Sequence, residues 1–201
     1  CAMPVPLEVE FVSDISCPWC VIGLRALEQA IARLDGQVAV DLHFQPFELN
    51  PQMPPGGQDI DEHLQQKYGS TPEQAALVRE RIRAAGAALG FTFSLQTRSR
   101  IYNTFDAHRL LHWAALEGRQ LALKQALFQA YFTDGEDPSN HQVLIRAAAR
   151  VGLDATRAAR ILDSNEFAAV VRKEQAFFLD QGIHAVPAVI INNQHLIQGG
   201  Q

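Results

Sequence analysis

The residues of this sequence best suited to chemistry are two cysteines separated by two positions, Cys17-Pro18-Trp19-Cys20. They fall where an alternating apolar run gives way to a helical one, so Cys17 opens the helix. Unpaired backbone N–H groups and the positive end of the dipole favour a thiolate there. Cys20, three residues on, lies one turn along the same face, within reach of the Cys17 sulfur. Pro18 suits the first turn, where its missing N–H would have had no intrahelical partner. The pattern fits reversible disulfide chemistry, with Cys17 attacking or attacked and Cys20 resolving the mixed disulfide. Half of a zinc site is a competing reading. It needs two more ligands, and without a second cysteine pair only His108 and His112, far downstream, are on offer. Two buried structural thiols would have no need of a helix N-terminus. The third cysteine, Cys1, is expected to be exposed and outside the pair.

The elements that position this pair can be read from periodicity. Leu7, Val9 and Phe11 alternate with Glu8 and Glu10 as in a strand. Val21, Leu24, Leu27, Ile31 and Leu34 lie near one helical face, and Gly36 stops that run. Val38, Val40, Leu42 and Phe44 form a second strand. Strand, helix and strand at this length make a βαβ unit with a right-handed crossover. Prolines and glycines from Pro46 to Gly57 mark a loop. About 125 helical residues are expected to follow, with N-termini at Asp59 and at Thr71-Pro72. Apolar stripes run through Val78 and Ile82, Leu110 and Leu111, Leu123, Leu127 and Tyr131, Val143 and Leu144, and Val170 to Phe178. Gly69, Gly90, Gly118, Gly152 and Gly182 each stand just past such a run, as C-cap residues do. The tail returns to strand at Ala188-Val189-Ile190-Ile191, turns at Asn192-Asn193, and pairs through His195-Leu196-Ile197. Ending on Gly199-Gly200-Gln201, it leads to the expectation of a closing helix that this sequence lacks.

Composition narrows the function classes. With 201 residues, 47% hydrophobic and 19% charged, the chain reads as globular. Seventeen Lys and Arg against 22 Asp and Glu give a net charge of −5, which argues against binding a phosphate backbone. Three cysteines are too few for a disulfide scaffold. The uncharged stretch 181–201 carries Pro187, three amide side chains at 192–194 and two histidines, so a membrane helix is not expected. The first residues lack a basic flank and an apolar core, so no signal peptide is read there and a cytoplasmic location is expected.

The βαβ opening with a helix-opening C-x-x-C resembles a thioredoxin fold. The long helical insertion followed by Gly182-Ile183-His184-Ala185-Val186-Pro187-Ala188 resembles its DsbA-like branch. Within that branch, four segments are similar to FrnE-like dithiol–disulfide isomerases: Asp14 to Cys20, Gln45 to Pro51, Asn103 to Arg109, and Ala130-Tyr131-Phe132-Thr133. Their order and spread, from Leu7 to Gly199, make the resemblance cover almost the whole chain. It implies an α/β fold: a thioredoxin-like domain from residues 7–45 and 185–201, interrupted by an all-α insertion at 58–183. It also implies that Cys17 is the nucleophile, Cys20 the resolving thiol and Pro187 a cis-proline. The cis bond would turn the backbone of Val186 toward the cysteines, where an extended substrate could pair with it.

The expected activity is therefore thiol–disulfide exchange on protein or small-molecule disulfides or dithiols. No bound cofactor is expected beyond the Cys17–Cys20 redox pair, with glutathione a candidate co-substrate and no nucleic-acid or membrane partner. The alternative is a glutathione-dependent transferase or isomerase of the kappa-class or hydroxychromene-carboxylate type, which resembles this chain in the insertion but typically has Ser where Cys17 stands. A non-catalytic partner-binding module with sensor cysteines is a third reading. Among supporting residues, Pro18 and Trp19 shape the surface beside the pair, Trp19 as a partly exposed apolar rest for substrate. Asp14 reads as favourable to the helix dipole or as part of the proton balance near Cys20. His108 reads as a structural histidine, and His112 as a metal partner only if a third ligand were near.

Overall fold

The computed structural model describes residues 2–94 and 100–200. Cys1, whose exposure and exclusion from the redox pair the sequence suggests, lies outside the described residues. A four-stranded sheet organises the chain, its strands in the spatial order 38–46, 5–13, 188–191 and 195–198. Strand β1 (Val5–Ser13) runs parallel to β2 (Val38–Pro46), with helix α1 (Pro18–Arg33) as the crossover. On its other side β1 pairs antiparallel with β5 (Ala188–Ile191), and β5 with β6 (His195–Gln198). Asn192 and Asn193 both take positive φ, 51° and 57°, within the three-residue turn 192–194 that joins β5 to β6, closed by Gln194 N–H donating to Ile191 O.

The sheet carries different apolar residues on its two faces because side chains alternate along each strand. Val9, Phe11, Phe44 and Val189 join α1 and the helices α4 (Phe105–Leu116) and α5 (Gln120–Phe128) in the main core. Val12 and Ala188 face the other way, onto Phe178 of α8 (Ala168–Asp180). The chain ends of α1 and β5 thus meet at one end of the sheet, where the cysteines sit.

Between β2 and β5 the chain is helical in the main, with α2 (Ile60–Tyr68), α3 (Pro72–Ala88), α6 (His141–Arg150) and α7 (Ala155–Leu162) completing the set. The N-termini are built as the sequence suggests. Asp59 accepts from Glu62 N, and Thr71 with Gln74 forms a full capping box. The all-α expectation for 58–183 needs correction at one point. Gln58-Asp59 (β3) and Arg100-Ile101 (β4) form a two-residue antiparallel ladder. Arg100 holds it by donating to the carbonyls of Gly56 and Gly57. Gly57 is required here: its φ is +70°, and a Cβ would lie 2.1 Å from Ile101 O. Strands of two residues are too short to show a period.

Two further details depart from simple helical stripes. Val78 and Phe177, grouped above with apolar stripes, are exposed. Residues Gln129–Thr133 form a π-helical turn directly after α5, and the wider turn puts both Tyr131 and Phe132 into the core.

Buried Arg109 ties α4 to the end of α7. Its guanidinium donates to the carbonyls of Ile161, Ser164 and Glu166 and pairs with Asp106 at 2.9 Å. Arg109→Met should destabilise the fold by about 3 kcal/mol or more, because three carbonyls lose their donor in a buried site. Urea unfolding followed by circular dichroism checks this; a loss under about 1 kcal/mol would show that water replaces the guanidinium.

Candidate active site

Cys17 is the N-cap of α1, with φ −97° and ψ 110°, and Pro18 occupies the first turn. Its N–H donates to Asp14 O, and Cys20 N donates to Cys17 O, which closes the first turn around the pair. Both cysteines are free thiols in this structure, one turn apart at the start of α1. Cys20 is wholly buried, whereas Cys17 is 4% exposed and faces a groove. Burial pushes the Cys20 thiol well above the ordinary range, and the neighbouring Cys17 sulfur raises it further.

The Val186–Pro187 peptide bond is cis. Cys17 Sγ lies 3.8 Å from Val186 O, so the proline loop faces the nucleophile candidate as the resemblance implies. Among the described residues Val186 N–H has no hydrogen-bond partner. Pro187 is buried against Gly23 of α1, where a Cβ would stand 3.1 Å from its Cγ. Gly23 lets the helix approach the loop this closely, a role that its place in a helical run concealed. Trp19 is partly exposed, with its side chain on the groove.

That groove has a volume of about 490 Å³ and runs from Cys17 between the β2–β3 loop and the α2–α3 hairpin. Apolar walls from Leu64, Tyr68, Val78 and Ile82 face a rim that holds His63, Lys67, Arg79 and His184. Lys67 is engaged by Leu49 O and Asn50 Oδ1, and Arg79 by Asp61. Tyr68 and Val78 are exposed on it, at 63% and 44%. Their exposure makes sense as a contact surface beside the thiol.

Behind the cysteines lies a polar core that the sequence reading underestimated. Asp14 is wholly buried and its carboxylate accepts four hydrogen bonds. Thr104 Oγ1 (2.6 Å) and His108 Nε2 (3.2 Å) meet Oδ1, while Ser16 Oγ (3.0 Å) and Leu49 N (2.9 Å) meet Oδ2. Burial alone would raise its pKa, but the hydrogen bond and charge of His108, with Thr104 and Leu49 N–H, hold it below the usual value. Asp14 is therefore more than a carboxylate ahead of a helix: it fixes the β1–α1 turn to the β2–β3 loop and to α4. His108 Nε2 has a second acceptor at Phe47 O, 3.0 Å away, so Nε2 carries the hydrogen. His108 is thus buried and held by two acceptors, in the core. His112 sits instead beside Glu174 (3.5 Å) and the ring of Phe167. Among the described residues no group of three or more His, Cys, Asp or Glu could hold a metal ion. Nor is any described helix long and apolar enough to cross a membrane.

Lys124 of α5 is the site residue that sequence reasoning missed. It is 1% exposed, with Nζ between the rings of Phe44 (5.5 Å) and Phe128 (5.1 Å). Burial lowers its pKa to about 8, against the pull of Cys20, Asp14 and Cys17. The available signal was its place inside the apolar arc of Leu123, Leu127 and Phe128.

Comparison with known proteins agrees with this geometry. The model of the DSBA-like thioredoxin domain matches residues 8–201. A probable DsbA oxidoreductase from Streptomyces coelicolor, SCO1869, superposes with a TM-score of 0.91 at 31% identity, covering 97% of this chain and 84% of its own. Cytosolic disulfide reductase DsbM from Pseudomonas aeruginosa, solved with GSH, is similar in fold at 17% identity and a TM-score of 0.66, covering 95% and 89%. Among curated proteins, the uncharacterized protein YwbO of Bacillus subtilis (strain 168) is 24% identical over 188 residues, 93% of this chain and 88% of its own. With the match running through the C-x-x-C helix, the helical insertion and the cis-proline hairpin alike, the chain belongs to the DSBA-like thioredoxin domain family.

Proposed function

We propose that the protein is a thiol–disulfide oxidoreductase or isomerase in which Cys17 is the nucleophile and Cys20 the resolving thiol. The observation that carries this reading is the convergence on one sulfur: Cys17 caps α1, stands one turn from Cys20, and lies 3.8 Å from the carbonyl of Val186. Cys17 meets the groove, so it takes the substrate sulfur; Cys20, sealed from solvent, reacts only with Cys17. The free Val186 N–H and its carbonyl suit an extended chain that pairs as an added strand. Pro187, with no N–H, keeps a competing donor away from the sulfur. Trp19 and Pro18 then border the bound chain. Substrates in this reading are protein or small-molecule disulfides, with glutathione a candidate co-substrate.

A second reading is glutathione-dependent transfer or isomerisation. The groove volume of about 490 Å³ falls within the range that holds small molecules, and the fold is shared with a reductase solved with GSH. The two readings separate in one pair of assays. Insulin reduction driven by glutathione should proceed with the wild-type protein and fail with Cys20→Ala. Glutathione conjugation of an electrophile that survives Cys20→Ala unchanged, with no insulin reduction by the wild type, would establish the second reading instead.

A further inference from the structure

The groove at Cys17 carries a charge that its own walls leave unbalanced. The whole chain has a net charge of −5, yet the groove is lined by one carboxylate, Glu48, against Lys67, Arg79 and two histidines. Arg79 is neutralised by Asp61 at 2.7 Å. Glu48 has His108 and Arg172 of α8 as its cationic neighbours. Burial, with the charge of Lys67, holds the His63 pKa below its ordinary value. That leaves Lys67. Its Nζ donates to two uncharged acceptors, Leu49 O at 3.0 Å and Asn50 Oδ1 at 2.9 Å, and stands 5.5 Å from the centre of the Tyr68 ring. Among the described residues no carboxylate pairs with it.

These contacts fix where the charge sits. Lys67 belongs to the last turn of α2, where a cation suits the helix C-terminus. A cation serving the dipole alone has no need to cross to the β2–β3 loop. Lys67 does cross, and from there hydrogen bonds lead to the nucleophile: Leu49 N donates to Asp14 Oδ2, and Asp14 O accepts from Cys17 N. Beside the cation lies the exposed apolar surface of Tyr68 and Val78. At the Cys17 end, the Val186 carbonyl and its unpaired N–H offer main-chain pairing. An extended polypeptide satisfies all three, with an acidic side chain for Lys67 and an apolar one for Tyr68 and Val78. A small disulfide without a main chain has nothing to pair with Val186.

We propose that Lys67 makes the groove selective for protein disulfides in which an acidic residue and an apolar one flank the reacting cysteine. The inference rests on the thiol–disulfide reading above and names its substrate class. Lys67 acts on encounter and docking, and the exchange at Cys17 and Cys20 proceeds as already described. A fixed cation on the rim speeds the approach of a negative chain and slows that of a positive one, and salt weakens both effects.

The test uses the reduced protein and short peptide disulfides that are identical except for Glu, Gln or Lys beside a Leu next to the cysteine. Second-order rates of peptide reduction are read by acid quenching and mass spectrometry, at low and at high salt. The Glu peptide should react about 10-fold faster than the Lys peptide at low salt, with the Gln peptide between them, and the gap should close toward about 1 M salt. Lys67→Arg should keep this order and Lys67→Glu should reverse it, with circular dichroism checking the fold of each. Where Lys67→Glu fails to fold, Lys67→Met should bring the three rates together. A lysine that only clamps the β2–β3 loop would, when replaced, slow all three peptides alike and leave their order intact. That outcome, or equal rates with all three peptides in the wild type, would overturn the assignment. Failure of the wild type to reduce any of the peptides would instead overturn the thiol–disulfide reading on which it stands.

Discussion

Cys17→Ser should abolish disulfide reduction, lowering the rate by more than about 1,000-fold, whereas Cys20→Ser should keep the first step and stop at the mixed disulfide. The asymmetry follows from position. Cys17 meets the groove and the Val186 carbonyl; Cys20 lies a turn deeper, with no solvent contact and a thiol whose pKa burial has raised. A serine hydroxyl keeps the size of the thiol but has no sulfur to exchange. Intact-mass spectrometry after incubation with oxidised glutathione distinguishes the variants. Cys20→Ser should accumulate one glutathione adduct at Cys17 and Cys17→Ser none. A stable adduct on Cys20 in Cys17→Ser would reverse the assigned roles.

The largest stability effect near the site should come from Asp14→Ala, at about 3–5 kcal/mol. Its removal leaves the hydroxyls of Thr104 and Ser16 and the N–H of Leu49 without their acceptor in a buried setting, and His108 keeps only Phe47 O. The pH dependence has a definite sign. The folded carboxyl is held below its unfolded value, so its contribution is fully present above the unfolded value of about 3.9 and is lost as pH falls through the folded one. Urea unfolding at pH 7 should show the full gap between wild type and Asp14→Ala, and the gap should narrow below about pH 4. A constant gap across that range would mean that packing, and not the carboxylate, holds the turn.

Much of the site was legible because its signals are local. Cys17-Pro18-Trp19-Cys20 states its own spacing, Asn192-Asn193 marks a hairpin, and the glycines after apolar runs mark helix ends. Pro187 was assigned through resemblance, and the carbonyl of Val186 before it lies 3.8 Å from Cys17 Sγ. What escaped depends on contacts between distant segments. Asp14 meets Thr104 and His108 from some 90 residues away in the chain, at separations of 90 and 94, and no local pattern records that meeting. Lys124 looks like a surface lysine in a helical run until the rings of Phe44 on β2 and Phe128 enclose its amine. Gly57 and Arg100 form a ladder too short for periodicity to reveal. Val78 fits a helical stripe, yet the face it marks is the wall of the groove.

Equilibration of the reduced protein with glutathione buffers of graded oxidation, followed by acid quenching and peptide mapping, tests the central claim most directly. The account predicts a single two-electron transition in which a Cys17–Cys20 disulfide replaces the two thiols, with any glutathione adduct found on Cys17. A pair that stays reduced at every buffer ratio, or a dominant disulfide from Cys1 to either member within the monomer, would contradict it.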